Sequence, residues 1–169
     1  GIGALSYDNV SGTDIESAMA SAGPSMYIRV PFAGTDFSRV TDFQLFMRYD
    51  DGFVAYLNGR EIARRLAPAS LVWNGAASGV RSNDVALVAE SINLIDALNL
   101  VQPGANVLAI HGLNRSFSDS DFLMSPELLA RSVQVLTNVH RYFATPTPGA
   151  ANIAGLPGTA GSVRFSRKS

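Results

Sequence analysis

Two turn signals between apolar runs, in the segment 43–65, constrain the fold more than any other feature of this chain. The segment reads FQLFMRYDDGFVAYLNGREIARR and contains the pairs Asp51-Gly52 and Asn58-Gly59. Both central residues of a type I′ turn need positive φ, which Asn, Asp and Gly tolerate best. The flanking runs are rich in aromatic and β-branched residues, which favour strands. The segment therefore predicts three consecutive antiparallel strands, at about 43–49, 53–57 and 60–65, on which the rest of the chain packs.

Weaker patterns place further elements along the chain. Residues 15–21 can form one or two helical turns capped by Thr13 or Asp14, and residues 94–101 predict a single helical turn. Alternating or apolar runs predict strands at 26–32, 84–92, 106–113, 122–129 and 131–136. Pro31 places the end of its strand at a sheet edge or a bulge. Strands far outnumber helices, which predicts an all-β antiparallel sandwich with one or two short helical turns.

The composition limits what the chain can bind. Its 169 residues suit one domain, and the net charge of −1 without a basic cluster argues against a nucleic-acid partner. Because no run approaches the ~18 apolar residues of a membrane span, membrane insertion is not expected. The chain has no cysteine, which excludes disulfides and thiolate ligands. The low charged fraction of 16% is common in secreted modules.

The character of the sequence changes near its end. From Thr145 it reads TPTPGAANIAGLPGTAG, a Pro/Gly/Ala-rich stretch with few apolar anchors. We therefore predict an N-terminal lead over 1–25 that packs on the sandwich, a sandwich domain over 26–152, and a linker with the start of a following module over 153–169. The abrupt first and last residues are those expected of a piece of a longer protein.

Two motifs together resemble the galactose-binding-like jelly rolls. That family includes the sugar-binding domain of β-galactosidase-type hydrolases. A strand–turn–strand of the family is similar to the segment RYDDGFVAYLNGREIAR, and a later strand of the same fold resembles PGANVLAIHGLN. The run 26–152 resembles modules of large secreted bacterial proteins with lamin-tail and CotH-like regions. The final SVRFSRKS resembles the opening strand of a chitobiase C-terminal-like domain. The resemblance implies a jelly roll, a secreted or cell-surface location and neighbouring modules as partners, and it transfers no catalytic residues.

The residues give little support for catalysis. Asp50 and Asp51 are adjacent in a predicted turn, and turn formation explains them better than the paired carboxylates of a glycosidase. Glu61 and Glu90 are expected on solvated strand faces. With two histidines and no G-x-S-x-G elbow, a Ser-His-Asp triad is not supported. We expect a protein that is not an enzyme.

The single tryptophan is the most informative candidate for ligand binding. Trp73 and Asn74 lie in the long loop 66–83, and loops of this length are usually functional or mobile. An aromatic ring can stack on the apolar face of a sugar while polar groups of a second loop, Asn114, Arg115 and Asp119, fix its hydroxyls. The sequence equally allows Trp73 to plug the end of the core.

Two further candidates carry the same ambiguity. His111 lies within an apolar strand, where it is either a half-buried histidine satisfied by a neighbour or a sugar-binding group on an open sheet face. Asp119 and Asp121 alternate with serines, a pattern that would supply oxygen ligands to a structural Ca²⁺. A turn whose side chains hydrogen-bond to its own backbone also explains them. These residues predict a non-catalytic module that binds a polysaccharide or glycan weakly, and the alternative is a structural spacer or protein-interaction domain without a glycan ligand.

Overall fold

The computed structural model describes residues 3–5, 12–34, 36–133, 141–142, 149 and 156–157, and the chain divides into units of residues 1–133 and 134–169. The strands of the first unit are β1 (Gly3–Leu5), β2 (Thr13–Asp14), β3 (Ser25–Gly34), β4 (Val40–Asp50), β5 (Gly52–Leu57), β6 (Arg60–Arg65), β7 (Glu90–Asn93), β8 (Gly104–Leu113) and β9 (Phe122–Ser132). Its helices are α1 (Glu16–Ala22), α2 (Asn83–Ala86) and a 3-10 helix, Ile95–Leu100. None of the helices in the described ranges is long and apolar enough to cross a membrane. In the second unit, β10 (Arg141–Tyr142) pairs antiparallel with β11 (Leu156–Pro157).

The nine strands described in the first unit form two sheets. One sheet has the order β2-β1-β9-β4-β7, and the other has the order β3-β8-β5-β6. Every pairing within them is antiparallel except that of β1 with β2. The predicted all-β antiparallel sandwich with short helices is confirmed.

The core lies between the inner faces of the two sheets. Alternate residues of the long strands point into it, as the period of two in a strand requires. The inward positions of β4 are Phe43, Leu45, Met47 and Tyr49, and facing them are Phe53, Ala55 and Leu57 of β5 and Leu108 and Ile110 of β8. Gly112 continues this face of β8, where a Cβ would lie 2.8 Å from the ring of Phe122, so a side chain there would collide with the opposite sheet.

The predicted three-stranded meander is wrong at its first turn. Strand β4 pairs with β7 and β9, whereas β5 pairs with β6 and β8, so the chain passes from one sheet to the other at Asp51. This crossing places the rings of Tyr49 and Phe53 edge to face across the core, with centroids 4.7 Å apart. Only Asn58-Gly59 forms the predicted hairpin turn, with φ of 49° and 82°.

The other sequence predictions have mixed outcomes. Strands β3 and β8 and the 3-10 helix are confirmed, and β3 is an edge strand, as Pro31 indicated. The predicted strand 84–92 is wrong over its first half, because the chain forms α2 there and becomes extended only at Glu90. The separate strands expected at 122–129 and 131–136 are one strand, β9, as far as Ser132. Residues 134–136 and the boundary predicted at residue 152 lie outside the described residues.

A polar network joins the two sheets where strands β6 and β7 approach each other. Arg65 of β6 donates a hydrogen bond of 2.6 Å to the Glu90 carboxylate of β7, and the Tyr49 hydroxyl donates another of 2.7 Å to it. Arg81 donates to the Tyr49 oxygen at 2.7 Å, and its guanidinium carbon lies 3.9 Å from the ring centroid. The expectation of a solvated Glu90 is therefore wrong, since this side chain is half-buried between the sheets.

The network shifts both titrations within it. Burial opposes ionisation of Glu90, but the hydrogen bonds from Tyr49 and Arg65 and the nearby positive charges hold the pKa of this carboxyl below its ordinary 4.5. Burial, followed by the hydrogen bond to Glu90, raises the pKa of Tyr49 to about 12. The folded state therefore favours an ionised Glu90 and a neutral Tyr49.

Replacing Gly59 by Val should lower the free energy of unfolding by about 1–3 kcal/mol, because a β-branched residue is forced to positive φ. A Cβ at Gly59 would meet no atom within 4 Å, so the loss measures backbone strain alone. Gly59→Asn is the matched control, since Asn tolerates this conformation. Urea unfolding compares the variants, and equal midpoints for Val and Asn would contradict the turn assignment.

Glu90→Gln should remove a pH-dependent part of the stability. A carboxyl whose folded pKa is depressed stabilises the fold above its unfolded value and loses this contribution as pH falls through the folded value. The gap in unfolding free energy between the wild type and Glu90→Gln should therefore be widest above pH 4.5 and close below it. Glu127→Gln, at an exposed position of β9, is the control. A gap that stays constant down to about pH 3 would show that Glu90 has the same pKa in both states.

Candidate functional site

The long loop 66–83 lies back over the outer face of the β3-β8-β5-β6 sheet. The hydroxyl of Tyr27 donates a 2.7 Å hydrogen bond to the carbonyl of Trp73, and the hydroxyl of Ser25 donates one of 2.6 Å to the carbonyl of Gly75. Within the loop, the Gly75 amide closes a turn onto the Val72 carbonyl at 3.1 Å. These bonds fix the loop backbone against strand β3 and leave the Trp73 ring projecting beside the sheet.

The strand register determines which side chains share this outer face. Tyr27 of β3 lies opposite His111 of β8, and one row further along the strands Arg29 lies opposite Ala109. Ala109 is also opposite Tyr56 of β5. Because Ala109 is small, it leaves a depression in the sheet surface between the larger side chains of Arg29 and Tyr56.

The loop and the sheet enclose a groove of about 470 Å³. Its largest or most polar lining side chains are Tyr27, Arg29, Tyr56, Trp73 and His111. Half of the Tyr27 surface and 73% of the Trp73 surface are exposed. Large exposed aromatic surface beside polar groups is typical of a binding site, because a folded protein rarely leaves such surface uncovered without a use.

His111 forms one end of the groove and is itself buried. Its ring stacks on that of Tyr27 with centroids 4.4 Å apart, and its Nε2 lies 3.0 Å from the Ser25 hydroxyl oxygen. Since Ser25 gives its only proton to the Gly75 carbonyl, its oxygen must accept from His111. Burial lowers the pKa of His111, so the ring is neutral at pH 7, with its proton on Nε2. The expectation that a neighbouring residue hydrogen-bonds to His111 is met by Ser25. Contact between His111 and a ligand stays a prediction.

The structure brings only some of the predicted site residues together. Trp73 and His111 line the same groove, and the exposure of Trp73 excludes its role as a core plug. Asn74 is exposed beside Trp73. The second loop touches the first where the Ala77 amide donates to the Asn114 carbonyl at 2.9 Å, but Asn114 is not among the residues that line the groove.

Asn114, Arg115 and Asp119 form a local cluster outside the groove lining. Asn114 is buried, and its side-chain oxygen accepts the Arg115 amide at 2.7 Å. The Arg115 guanidinium pairs with the Asp119 carboxylate at 3.0 Å. These contacts give each of the three side chains a partner within the loop, and their role in ligand binding stays a prediction.

The carboxylates proposed as metal ligands lie close to each other. Burial first, and then the neighbouring Asp121, raise the pKa of Asp119. Asn83 donates a 2.8 Å hydrogen bond to Asp121, so an amide already occupies one of its oxygens. Within the described part of the chain, no three or more His, Cys, Asp or Glu side chains are grouped so that they could hold a metal ion.

Of the five large or polar side chains that line the groove, the sequence prediction missed three: Tyr27, Arg29 and Tyr56. The alternation in MYIRVPF places Tyr27 and Arg29 on one face of β3, and this was the available signal. Nothing local indicates that Tyr56, on a distant strand, shares that face, because the pairing of both strands with β8 brings them together.

Asp51 ties both loops to the sandwich. One carboxylate oxygen accepts the Arg81 amide at 2.8 Å, and the other accepts the Arg115 amide at 2.7 Å. The Asp51 amide donates to the Leu113 carbonyl at 3.2 Å, at the end of β8. Asp51 therefore has a structural role at the crossing between the two sheets, and the hairpin turn that was expected to explain it is not formed.

Comparison of the chain with models of known protein families, with characterised protein sequences and with solved structures gives no match. The function proposed below therefore rests on the residues of the groove and on the sequence motifs.

Asp51→Asn should lower the free energy of unfolding by about 1–3 kcal/mol, because one acceptor oxygen becomes an NH₂ group that faces a buried N–H. Hydrogen exchange at the amides of Arg81 and Arg115 should accelerate. Asp36→Asn is the control, since Asp36 is exposed and its carboxylate accepts a 2.9 Å hydrogen bond from the amide of nearby Ser38. Unchanged protection at both amides would show that Asp51 does not hold the loops.

Proposed function

We propose that the sandwich is a non-catalytic carbohydrate-binding module of a larger secreted or cell-surface bacterial protein, with its ligand in the groove between the loop 66–83 and the outer sheet face. The observation that carries this proposal is the placement of three aromatic side chains, Tyr27, Tyr56 and Trp73, around one open groove. The resemblance of two motifs to galactose-binding-like modules supports it.

The groove has the chemical make-up that sugar recognition needs. A pyranose has apolar C–H faces and a rim of hydroxyls, so its site combines flat aromatic surface with a few polar groups that fix orientation. Trp73 and Tyr27 offer the exposed rings, whereas Arg29 and the tyrosine hydroxyls offer hydrogen bonds. An open groove, in contrast to a closed cavity, lets a long polysaccharide pass through.

The aromatic surface is held in place before any ligand arrives. The Tyr27 hydroxyl is bonded to the loop backbone at Trp73, and the Tyr27 ring is stacked on the buried His111. A site that is already ordered loses less conformational entropy on binding. Because the groove is small and exposed, we nevertheless expect Kd values of roughly millimolar to micromolar.

A second surface favours contact with another protein module. Four apolar side chains are exposed on or next to α2: Val80, Val85, Leu87 and Val88. Such a group suits a surface that a neighbouring module of the same protein covers. The spacer or interaction function is therefore the second candidate, and it is compatible with glycan binding in the groove.

Trp73→Ala should abolish retention of the protein on the polysaccharides that bind the wild type, because it removes the largest exposed ring of the groove. Its melting temperature should change little, since 73% of the Trp73 surface is already in solvent. Retention on a panel of neutral and acidic polysaccharides measures the first effect, and thermal unfolding measures the second.

Phe117→Ala is the matched control, because Phe117 is 61% exposed but does not line the groove. This variant should bind as the wild type does. Equal loss in both variants would indicate unspecific aromatic adsorption and refute the groove as the site. A wild type that binds no member of the panel would leave the spacer function as the better explanation.

A further inference from the structure

We propose that the ligand of the groove carries a negatively charged substituent, a carboxylate or a sulfate on a sugar ring, and that Arg29 binds it. This inference rests on the proposed glycan-binding function and narrows it from glycans in general to acidic polysaccharides.

Arg29 is exposed at the groove without a partner. Its guanidinium forms no hydrogen bond or ion pair with any residue that the structure describes. Other arginines of the same chain do have carboxylate partners: Arg64, Arg65, Arg115 and Arg131. An arginine that points into a lined groove and lacks a counter-ion is free to bind an anion from outside.

The neighbouring charges do not neutralise Arg29. Glu61 lies opposite Tyr56 on the same face, but both of its oxygens accept hydrogen bonds from Arg64, at 2.9 and 2.8 Å. Glu61 and Arg64 form an ion pair with each other, and among the described residues that line the groove Arg29 is the charged side chain. The electrostatic potential there favours an anionic ligand, although the whole chain has a net charge of −1.

The geometry suits an anion that is attached to a ring. Arg29 and Tyr56 flank the small Ala109 in one row, so a sugar that lies on Ala109 against an aromatic ring would present a substituent to the guanidinium. A planar guanidinium can donate two parallel hydrogen bonds to a carboxylate or a sulfate, which a neutral hydroxyl cannot match. The attraction between the Arg29 guanidinium and the anion of the ligand is also screened less in the partly enclosed groove than in open solvent.

Two pairs of polysaccharides separate charge from sugar shape. Polygalacturonate and its methyl ester differ in the carboxylate, and carrageenan and its chemically desulfated form differ in the sulfate. Wild-type protein should bind the acidic member of at least one pair about tenfold more tightly, as expected for a charge-assisted bond, and this preference should shrink at high salt. The pair of polysaccharides for which the wild type prefers the acidic member shows whether the bound anion is a carboxylate or a sulfate.

Arg29→Gln should abolish the preference for the acidic polysaccharide and leave binding of its neutral counterpart within about twofold, since only the charged contact is removed. Arg39→Gln, which removes the same charge from an exposed turn away from the groove, should keep the preference. Trp73→Ala should weaken both members of the pair.

The outcomes separate this inference from the function on which it rests. Equal wild-type binding to the acidic and neutral members of both pairs would overturn the role of Arg29 and leave the carbohydrate-binding function intact. A preference that survives in Arg29→Gln would also overturn it. If the wild type binds none of the four polysaccharides, both the inference and the proposed function fail.

Discussion

The carboxylate of Asp51 is the contact on which the shape of this protein depends. It lies where the chain leaves one sheet and enters the other, and its two oxygens hold the backbone of both long loops. A buried N–H group without an acceptor is costly, so the Asp51 carboxylate stabilises the course of both loops. The loop 66–83 is thereby held at Arg81, at one end, while Tyr27 and Ser25 hold its middle against the sheet. A residue outside the groove thus helps to fix one of the groove's walls.

The fold could be predicted where local chemistry decides it. Asn58-Gly59 forms the expected turn, because both residues accept positive φ and the strands on either side can pair directly. Asp51-Gly52 carries the same local signal but serves a crossing between sheets. The difference lies in long-range pairing, since β4 finds its partner β9 about eighty residues later. The two dipeptides give the same local sequence signal, so the sequence around each turn does not distinguish the two cases.

The site shows the same division between local and long-range information. Trp73 could be singled out from the sequence, because a lone tryptophan in a long polar loop is conspicuous without any knowledge of the fold. Tyr27, Arg29 and Tyr56 are ordinary strand residues, and they become a group only because β3 and β5 both pair with β8. The predicted cluster of Asn114, Arg115 and Asp119 exists, but its members satisfy one another next to the groove.

Pro31 has a consequence for how copies of this protein behave when they are crowded together. Strand β3 is the ten-residue edge of its sheet, and an edge of this length is a template for strand exchange and aggregation. Proline has no N–H to offer, so an incoming strand would find its ladder of hydrogen bonds interrupted. The edge beside the groove is thus protected against self-association while the aromatic face next to it stays uncovered. Copies of the protein that are brought close together can then lie side by side without joining their sheets.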